Sequence, residues 1–166
     1  MMAILEFSQR DAMKKNDRMA AFVKSLGCAG DGTLDRCYLG YFQCFNEQRY
    51  YEAHDVLEHL WLQDRETKGP DYLFFKGLIQ FAGAFVHLRK QSLRPGHPTD
   101  GRRLRPAARL FRLAMRNLAP YRPVHLSLDV AALHHFCEAQ AGAIEASEYT
   151  VNPWSPEKAP VLRLIR

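Results

Sequence analysis

The sequence predicts an all-α protein, a single-domain bundle of about five or six helices around a central antiparallel helical hairpin at about residues 51–90. Apolar residues recur at helical spacing along nearly the whole chain. No segment before the last few residues alternates apolar and polar side chains as a half-buried strand does. With 166 residues, 47% of them hydrophobic and 25% charged, the chain has the size and composition of one globular domain, which excludes wholesale disorder.

Interruptions of the apolar pattern divide the chain into elements. The predicted helices are 3–26, 34–48, 51–63, 71–90, 102–117 and 129–142. Glycines 27, 30 and 32 with Asp31 end the first helix, and the glycines and prolines between 91 and 101 indicate an exposed loop. Asp129 is a suitable N-cap for the last helix. Three regions result: an N-terminal helix and linker (1–33), the helical bundle (34–145) and a proline-containing C-terminal tail (146–166).

The predicted fourth helix and the tail are the most apolar parts of the chain. The helix at 71–90 is apolar almost all round, which indicates that it is the central buried helix. The tail contains Trp154 and the apolar run 161–165, so we expect it to pack on this chain's own bundle or on that of a neighbouring copy in a homo-oligomer. The sequence does not distinguish between these two arrangements.

Composition also bears on location. No segment reaches the ~18–20 apolar residues that a membrane span requires. No apolar run followed by a small-residue cleavage site stands near the N-terminus. The four cysteines form no Cys-x-x-Cys pair, so a zinc ribbon is not expected. These features predict a cytoplasmic protein with reduced thiols and no membrane partner.

The most informative segment is 50–61, where histidines and carboxylates flank a helical apolar stripe. His54 and Glu58 are four residues apart and therefore adjacent on one flank of the stripe. A neutral imidazole and a carboxylate at this spacing can bind one divalent cation, or can share one hydrogen bond. Asp55 and His59 form a second such pair, which we expect to be turned towards solvent. His54 and His59 are five apart, so the His-Glu-x-x-His zinc pattern is absent.

The predicted fourth helix offers partners for this pair. Gln80 and His87 share one face, about 10.5 Å apart along the axis. In an antiparallel hairpin His54 lies roughly opposite Gln80, and placing His54 and His87 on one ion requires an axial offset or a tilted crossing. Two interpretations stay open: a metal or catalytic site, or a hydrogen-bonded network that only fixes helix packing.

The same residues resemble a known family. Phe45-Asn46, the segment 50–58 (Tyr-Tyr-Glu-Ala-His-Asp-Val-Leu-Glu), Trp61, the segment 76–82 (Lys-Gly-Leu-Ile-Gln-Phe-Ala) and His87-Leu88 together resemble the domain of unknown function 309 family of small bacterial and archaeal proteins. The resemblance covers about residues 34–118. After His87 the family usually has a short Gly-Asn turn, whereas this chain carries the longer, basic segment 89–101.

The resemblance implies an all-helical cytosolic protein, and the family is sometimes labelled a predicted metal-dependent hydrolase without an established substrate. Under that hypothesis His54, Glu58 and His87 bind a divalent metal ion of unknown identity. Glu58, as a third ligand or a general base, and Gln80, which would orient water or substrate, are the catalytic candidates. Glu52 and Trp61 are candidates for binding an unknown small molecule, with Asp55 in reserve.

A basic segment supports a third hypothesis. Residues 89–122 contain ten basic residues and one acidic residue, Asp100. Four arginines share one face of the predicted fifth helix: Arg105, Arg109, Arg112 and Arg116. Such a face can bind phosphates or carboxylates, including those of RNA. Along this face no aromatic residues interleave with the arginines, and no base-reading motif is present, so a solvated or intramolecularly paired face is the alternative.

Overall fold

The computed structural model describes residues 2–28 and 32–166, with side chains from residue 14 onward in the first helix. The described residues form a single-domain, predominantly helical bundle with one tiny two-stranded sheet. The helices are α1 (Met2–Ser25), α2 (Arg36–Asn46), α3 (Tyr50–Gln63), α4 (Tyr72–Leu93), α5 (Leu104–Leu118) and α6 (Val130–Ala146). The predicted all-α fold is confirmed. Gly30 and Asp31 of the predicted linker lie outside the described residues.

The central pair α3–α4 is an antiparallel hairpin, as predicted. The ring of Trp61, near the end of α3, lies 5.2 Å from that of Tyr72 at the start of α4. The ring of Tyr50, which opens α3, lies 5.1 Å from that of Phe85, far along α4. These two contacts fix opposite chain directions over the length of the hairpin.

Helix α4 is the centre of the bundle, because residues all round it are buried. Phe81 and Phe85 contact aromatic rings of three other helices, namely Phe45 of α2, Phe111 of α5 and Phe136 of α6. A side chain at Gly77 would meet Leu118 of α5 at 2.7 Å, so glycine is what allows α5 to approach here. The apolar residues all round α4 are therefore buried by neighbouring helices on several sides.

Local sequence signals start two of the helices. The Asp35 carboxylate accepts a hydrogen bond of 2.7 Å from the backbone N–H of Cys37 and caps α2. The Asp129 carboxylate accepts one of 2.8 Å from the N–H of Ala132 and caps α6, as predicted. Both bonds satisfy backbone donors that the first turn of a helix leaves free.

The short sheet between α5 and α6 was not predicted. Strand β1 (Val124–His125) pairs antiparallel with β2 (Leu128–Asp129). Leu126 and Ser127 between them both have positive φ, 43° and 61°. A two-residue turn with both central residues in the left-handed region is the usual connection of a tight hairpin. The expected alternation of apolar and polar residues is not visible in strands this short.

The C-terminal tail packs on its own chain. Trp154 is buried, and its Nε1 donates a hydrogen bond of 3.0 Å to the Tyr50 hydroxyl. The Asn46 side chain donates to the carbonyl of Leu162 and accepts from its N–H, both at 2.8 Å. Leu164 forms an isolated antiparallel bridge with Leu128. Between the two arrangements that the sequence leaves open, this chain adopts the intramolecular one.

Candidate functional site

A polar cluster lies on the flank of α3. His54, Asp55 and Glu58 each offer one atom able to ligate a metal, and these three atoms lie within 4.8 Å of one another. Among the described side chains, those of residues 14–28 and 32–166, no other group of three or more histidine, cysteine or acidic residues is as close. Nδ1 of His54 lies 3.1 Å from Oδ1 of Asp55. We call these three residues the α3 cluster.

Helix geometry places the α3 cluster at the rim of the core. Ala53, Val56 and Leu57 are fully buried, and their burial sets the rotation of α3 about its axis. His54 and Glu58 then lie on the flank, one turn apart, as the sequence predicts. The His54 side chain is 31% exposed and the Glu58 side chain is 28% exposed, so solvent reaches both.

Asp55 differs from its prediction. It was expected to turn towards solvent, yet its side chain is only 19% exposed. The reason is α1, which crosses α3 on this side and forms a groove with it. The groove has a volume of about 640 Å³ and is lined by Lys15, Arg18, Met19, Phe22, Glu52 and Asp55. A much smaller depression, of about 20 Å³, continues along the same two helices past Glu58 and His59.

The charges of this groove are largely compensated. Nζ of Lys15 lies 3.5 Å from Oε2 of Glu58. Nε of Arg49 lies 3.7 Å from Oε1 of Glu52. Nε of Arg18 donates to the backbone carbonyl of Lys14 at 3.4 Å, and no carboxylate of the described residues pairs with its guanidinium. Among the side chains that the structure describes, Arg18 is therefore a groove-lining cation without an acidic partner.

Gln80 and His87 lie in a different environment from the α3 cluster. Oε1 of Gln80 accepts a hydrogen bond of 2.7 Å from Nδ2 of Asn117 in α5. Nδ1 of His87 lies 3.4 Å from Nη1 of Arg103, just before α5. Burial and the charges of Arg103 and Lys90 lower the pKa of His87, which favours its neutral form.

The structure therefore does not bring the predicted metal ligands together as one set. His54 and Glu58 lie in one cluster with Asp55, and His87 is not a member of it. The polar face of α4 contacts α5, whereas the cluster of α3 adjoins α1.

The two candidate substrate-binding residues also lie apart from each other. Glu52 lines the groove beside Asp55. Trp61 stacks near Tyr72 at the other end of α3, and its indole Nε1 is buried without an acceptor among the described residues. Lys15 and Arg18 were missed. The signal that could have identified these two cations is their helical spacing with Met19 and Phe22. This spacing places all four residues on one face of α1.

The arginine face of α5 is partly paired within the chain. Arg112 donates two hydrogen bonds to Glu145 of α6, at 3.1 and 2.7 Å, and these lower the pKa of that carboxyl. The Arg105 guanidinium lies 4.0 Å from the centre of the Tyr149 ring. Arg109 and Arg116 are exposed. Two of the four arginines thus have intramolecular partners, which was the alternative interpretation of this face.

The comparison with family models agrees with the resemblance. Residues 38–97 match the model described as Domain of unknown function (DUF309). This segment belongs to the DUF309 family. The DUF309 segment contains most of α2, all of α3 and α4, and with them the α3 cluster, whereas α1, α5 and α6 lie outside it. No curated protein and no solved structure matches the chain. None of the described helices is both long enough and apolar enough to cross a membrane.

Proposed function

We propose that this DUF309 protein is a metal-dependent hydrolase whose divalent ion is held by His54, Asp55 and Glu58. The observation that carries the proposal is the convergence of one imidazole and two carboxylates within 4.8 Å beside a groove of about 640 Å³. That volume is typical of small-molecule sites. The proposal replaces His87 by Asp55 in the ligand set that the sequence suggested.

The donor set suits a divalent transition metal. One nitrogen and two carboxylate oxygens are ligands of Zn²⁺, Mn²⁺ and Fe²⁺, and three protein ligands leave positions open, as catalytic sites require. The three side chains are partly exposed, so an ion can reach them. A bound divalent ion supplies Lewis acidity that activates water towards an ester, amide or phosphate bond at neutral pH.

The chain's own residues have distinct tasks in this proposal. Glu52 lines the groove outside the ligand set, so we assign its carboxylate to accepting a proton from water. Phe22 and Met19 supply the apolar wall of the groove and restrict the approach of bulk water. Gln80, bonded to Asn117, positions α4 against α5 and takes no part in the reaction.

Hydrolysis of chromogenic carboxylate and phosphate esters, with Mn²⁺ or Zn²⁺ added to chelator-treated protein, tests the proposal. We expect turnover that requires the metal and is lost in Glu58→Gln. The exposed His135 of α6 provides a control, since His135→Gln should retain the activity. Metal-independent turnover, or equal turnover in Glu58→Gln, would contradict the proposal.

A non-enzymatic helical scaffold is the second candidate function. It is favoured by the contacts of Gln80 and His87, because two of the motif's polar residues join α4 to α5 or to the segment before it. Under this candidate the α3 cluster also serves packing. His54→Ala would then lower the free energy of unfolding by about 1–3 kcal/mol in the absence of any metal. The metal-site proposal expects little change in chelator, because His54 is partly exposed.

A further inference from the structure

The α1–α3 groove contains cations that the proposed metal chemistry does not use. Lys15 and Arg18 both line it, on the side that α1 contributes. A site that only held a cation would gain nothing from two positive side chains, because they repel the ion. Their presence therefore points to a second, negatively charged occupant.

The side chains around the groove are electrically balanced. Arg49 offsets Glu52, at 3.7 Å, and Lys15 offsets Glu58, at 3.5 Å. Arg18 has no carboxylate partner among the described residues, and Asp55 contacts the imidazole of His54, not a permanent cation. Three positive and three negative side chains sum to zero, so the groove without an ion offers an anion no net attraction.

A divalent ion on the α3 cluster changes this balance in two ways. It brings the sum of the formal charges around the groove to about +2. It also competes with Lys15 for the Glu58 carboxylate, whose Oε2 lies 3.5 Å from the Lys15 ammonium, and it repels that ammonium. The Lys15 ammonium, which is 61% exposed, is then released to face the groove beside Arg18.

We propose that the groove binds the dianionic group of a small phosphate monoester, with Arg18 and the released Lys15 contacting the phosphate oxygens. This inference rests on the proposed metal site and names its substrate class. A phosphate monoester carries about −1.5 to −2 charges at neutral pH, which matches the charge of the metal-loaded groove. Guanidinium groups bind phosphate oxygens through two parallel N–H bonds, and an ammonium binds them as a point charge. The apolar Met19 and Phe22 then contact the organic part of the molecule.

Two calorimetric titrations test the inference separately from the metal site. The first adds Mn²⁺ to chelator-treated protein and tests the proposed function alone. The second adds inorganic phosphate to the protein with and without Mn²⁺. We expect phosphate to bind only when Mn²⁺ is present, and to bind about tenfold or more weakly in Arg18→Gln and Lys15→Gln. In Lys15→Gln the Mn²⁺ affinity itself should be equal or higher, because the competitor for Glu58 is removed.

Lys14→Gln is the matched control, since Lys14 is an exposed neighbour on α1 that does not line the groove. It should bind phosphate as the wild type does, and helix content measured for all variants checks that each is folded. Phosphate binding that is absent, or is unaffected by Arg18→Gln and Lys15→Gln while Mn²⁺ still binds, overturns this inference alone. Absence of Mn²⁺ binding overturns the proposed function and the inference with it.

Discussion

Asn117 donates a hydrogen bond of 2.7 Å from its Nδ2 to Oε1 of Gln80, and this bond joins α5 to α4 at half-buried positions. Gln80 belongs to the motif by which the chain resembles DUF309, so its partner decides how the motif is interpreted. With its carbonyl oxygen directed at α5, the Gln80 amide serves helix packing. The catalytic chemistry that we propose lies instead on α3.

Removal of the Gln80 amide should therefore lower the stability of the folded protein and leave metal binding unchanged. We expect Gln80→Ala to lower the free energy of unfolding by about 1–2 kcal/mol, because it also leaves Asn117 without its acceptor. Urea denaturation measures the change. The double variant Gln80→Ala/Asn117→Ala should cost less than the two single variants together. Strict additivity would show that the two amides do not interact.

The approach of α5 to α4 should depend on the absence of a side chain at Gly77. Gly77→Ala would place a Cβ 2.7 Å from Cγ of Leu118, and we expect a loss of about 1–3 kcal/mol. Gly142→Ala is the matched control, since nothing lies within 4 Å of a Cβ there. That substitution in α6 should stabilise the protein by about 0.5–1 kcal/mol through helix propensity. Equal effects of the two changes in thermal denaturation would contradict the packing.

The C-terminal tail should contribute directly to stability. Trp154→Ala removes a buried ring and its hydrogen bond to Tyr50, with an expected loss of about 3 kcal/mol in urea denaturation. Tyr50→Phe removes the hydroxyl acceptor but keeps the ring, and should cost about 1 kcal/mol. A loss below about 0.5 kcal/mol in Trp154→Ala would mean that the tail does not pack on the bundle.

His87 should make the protein less stable in mild acid. Burial, Arg103 and Lys90 lower its pKa in the folded protein below the ordinary value of 6.5, so the unfolded chain takes up a proton more readily. The neutral form therefore contributes stability above pH about 6.5, and that stability is lost as the pH falls through the folded pKa. Melting temperatures between pH 7.5 and 5 should fall less steeply in His87→Gln. A slope equal to that of wild type would contradict this environment, and His135→Gln on the exposed face of α6 is the control.

Sequence pattern predicted the helices well because the burial of one helix face spaces the apolar residues at the helical period. The predicted hairpin, the N-cap at Asp129 and the central position of α4 are all present. What the pattern cannot give is which neighbouring helix meets each face. Gln80 and His87 share a face as expected, but that face meets α5 and the segment before it.

The groove escaped prediction for the same reason. Lys15 and Arg18 lie more than thirty residues from α3 in sequence, and nothing local indicates that α1 crosses α3 beside Asp55. Asp55 was consequently expected to point towards solvent. The packing of the tail could not be predicted from the sequence either, because apolar residues indicate burial but do not indicate which surface buries them.

The central claim is that His54, Asp55 and Glu58 form the metal site and that His87 does not. Calorimetric titration of Mn²⁺ or Zn²⁺ into chelator-treated wild type, His54→Ala and His87→Ala tests it most directly. We predict that wild type and His87→Ala bind one ion with the same affinity and that His54→Ala binds it at least about tenfold more weakly, since even residues that only support a metal ligand contribute about 10–100-fold. Absence of binding to wild type, or equal weakening in both variants, would contradict the claim.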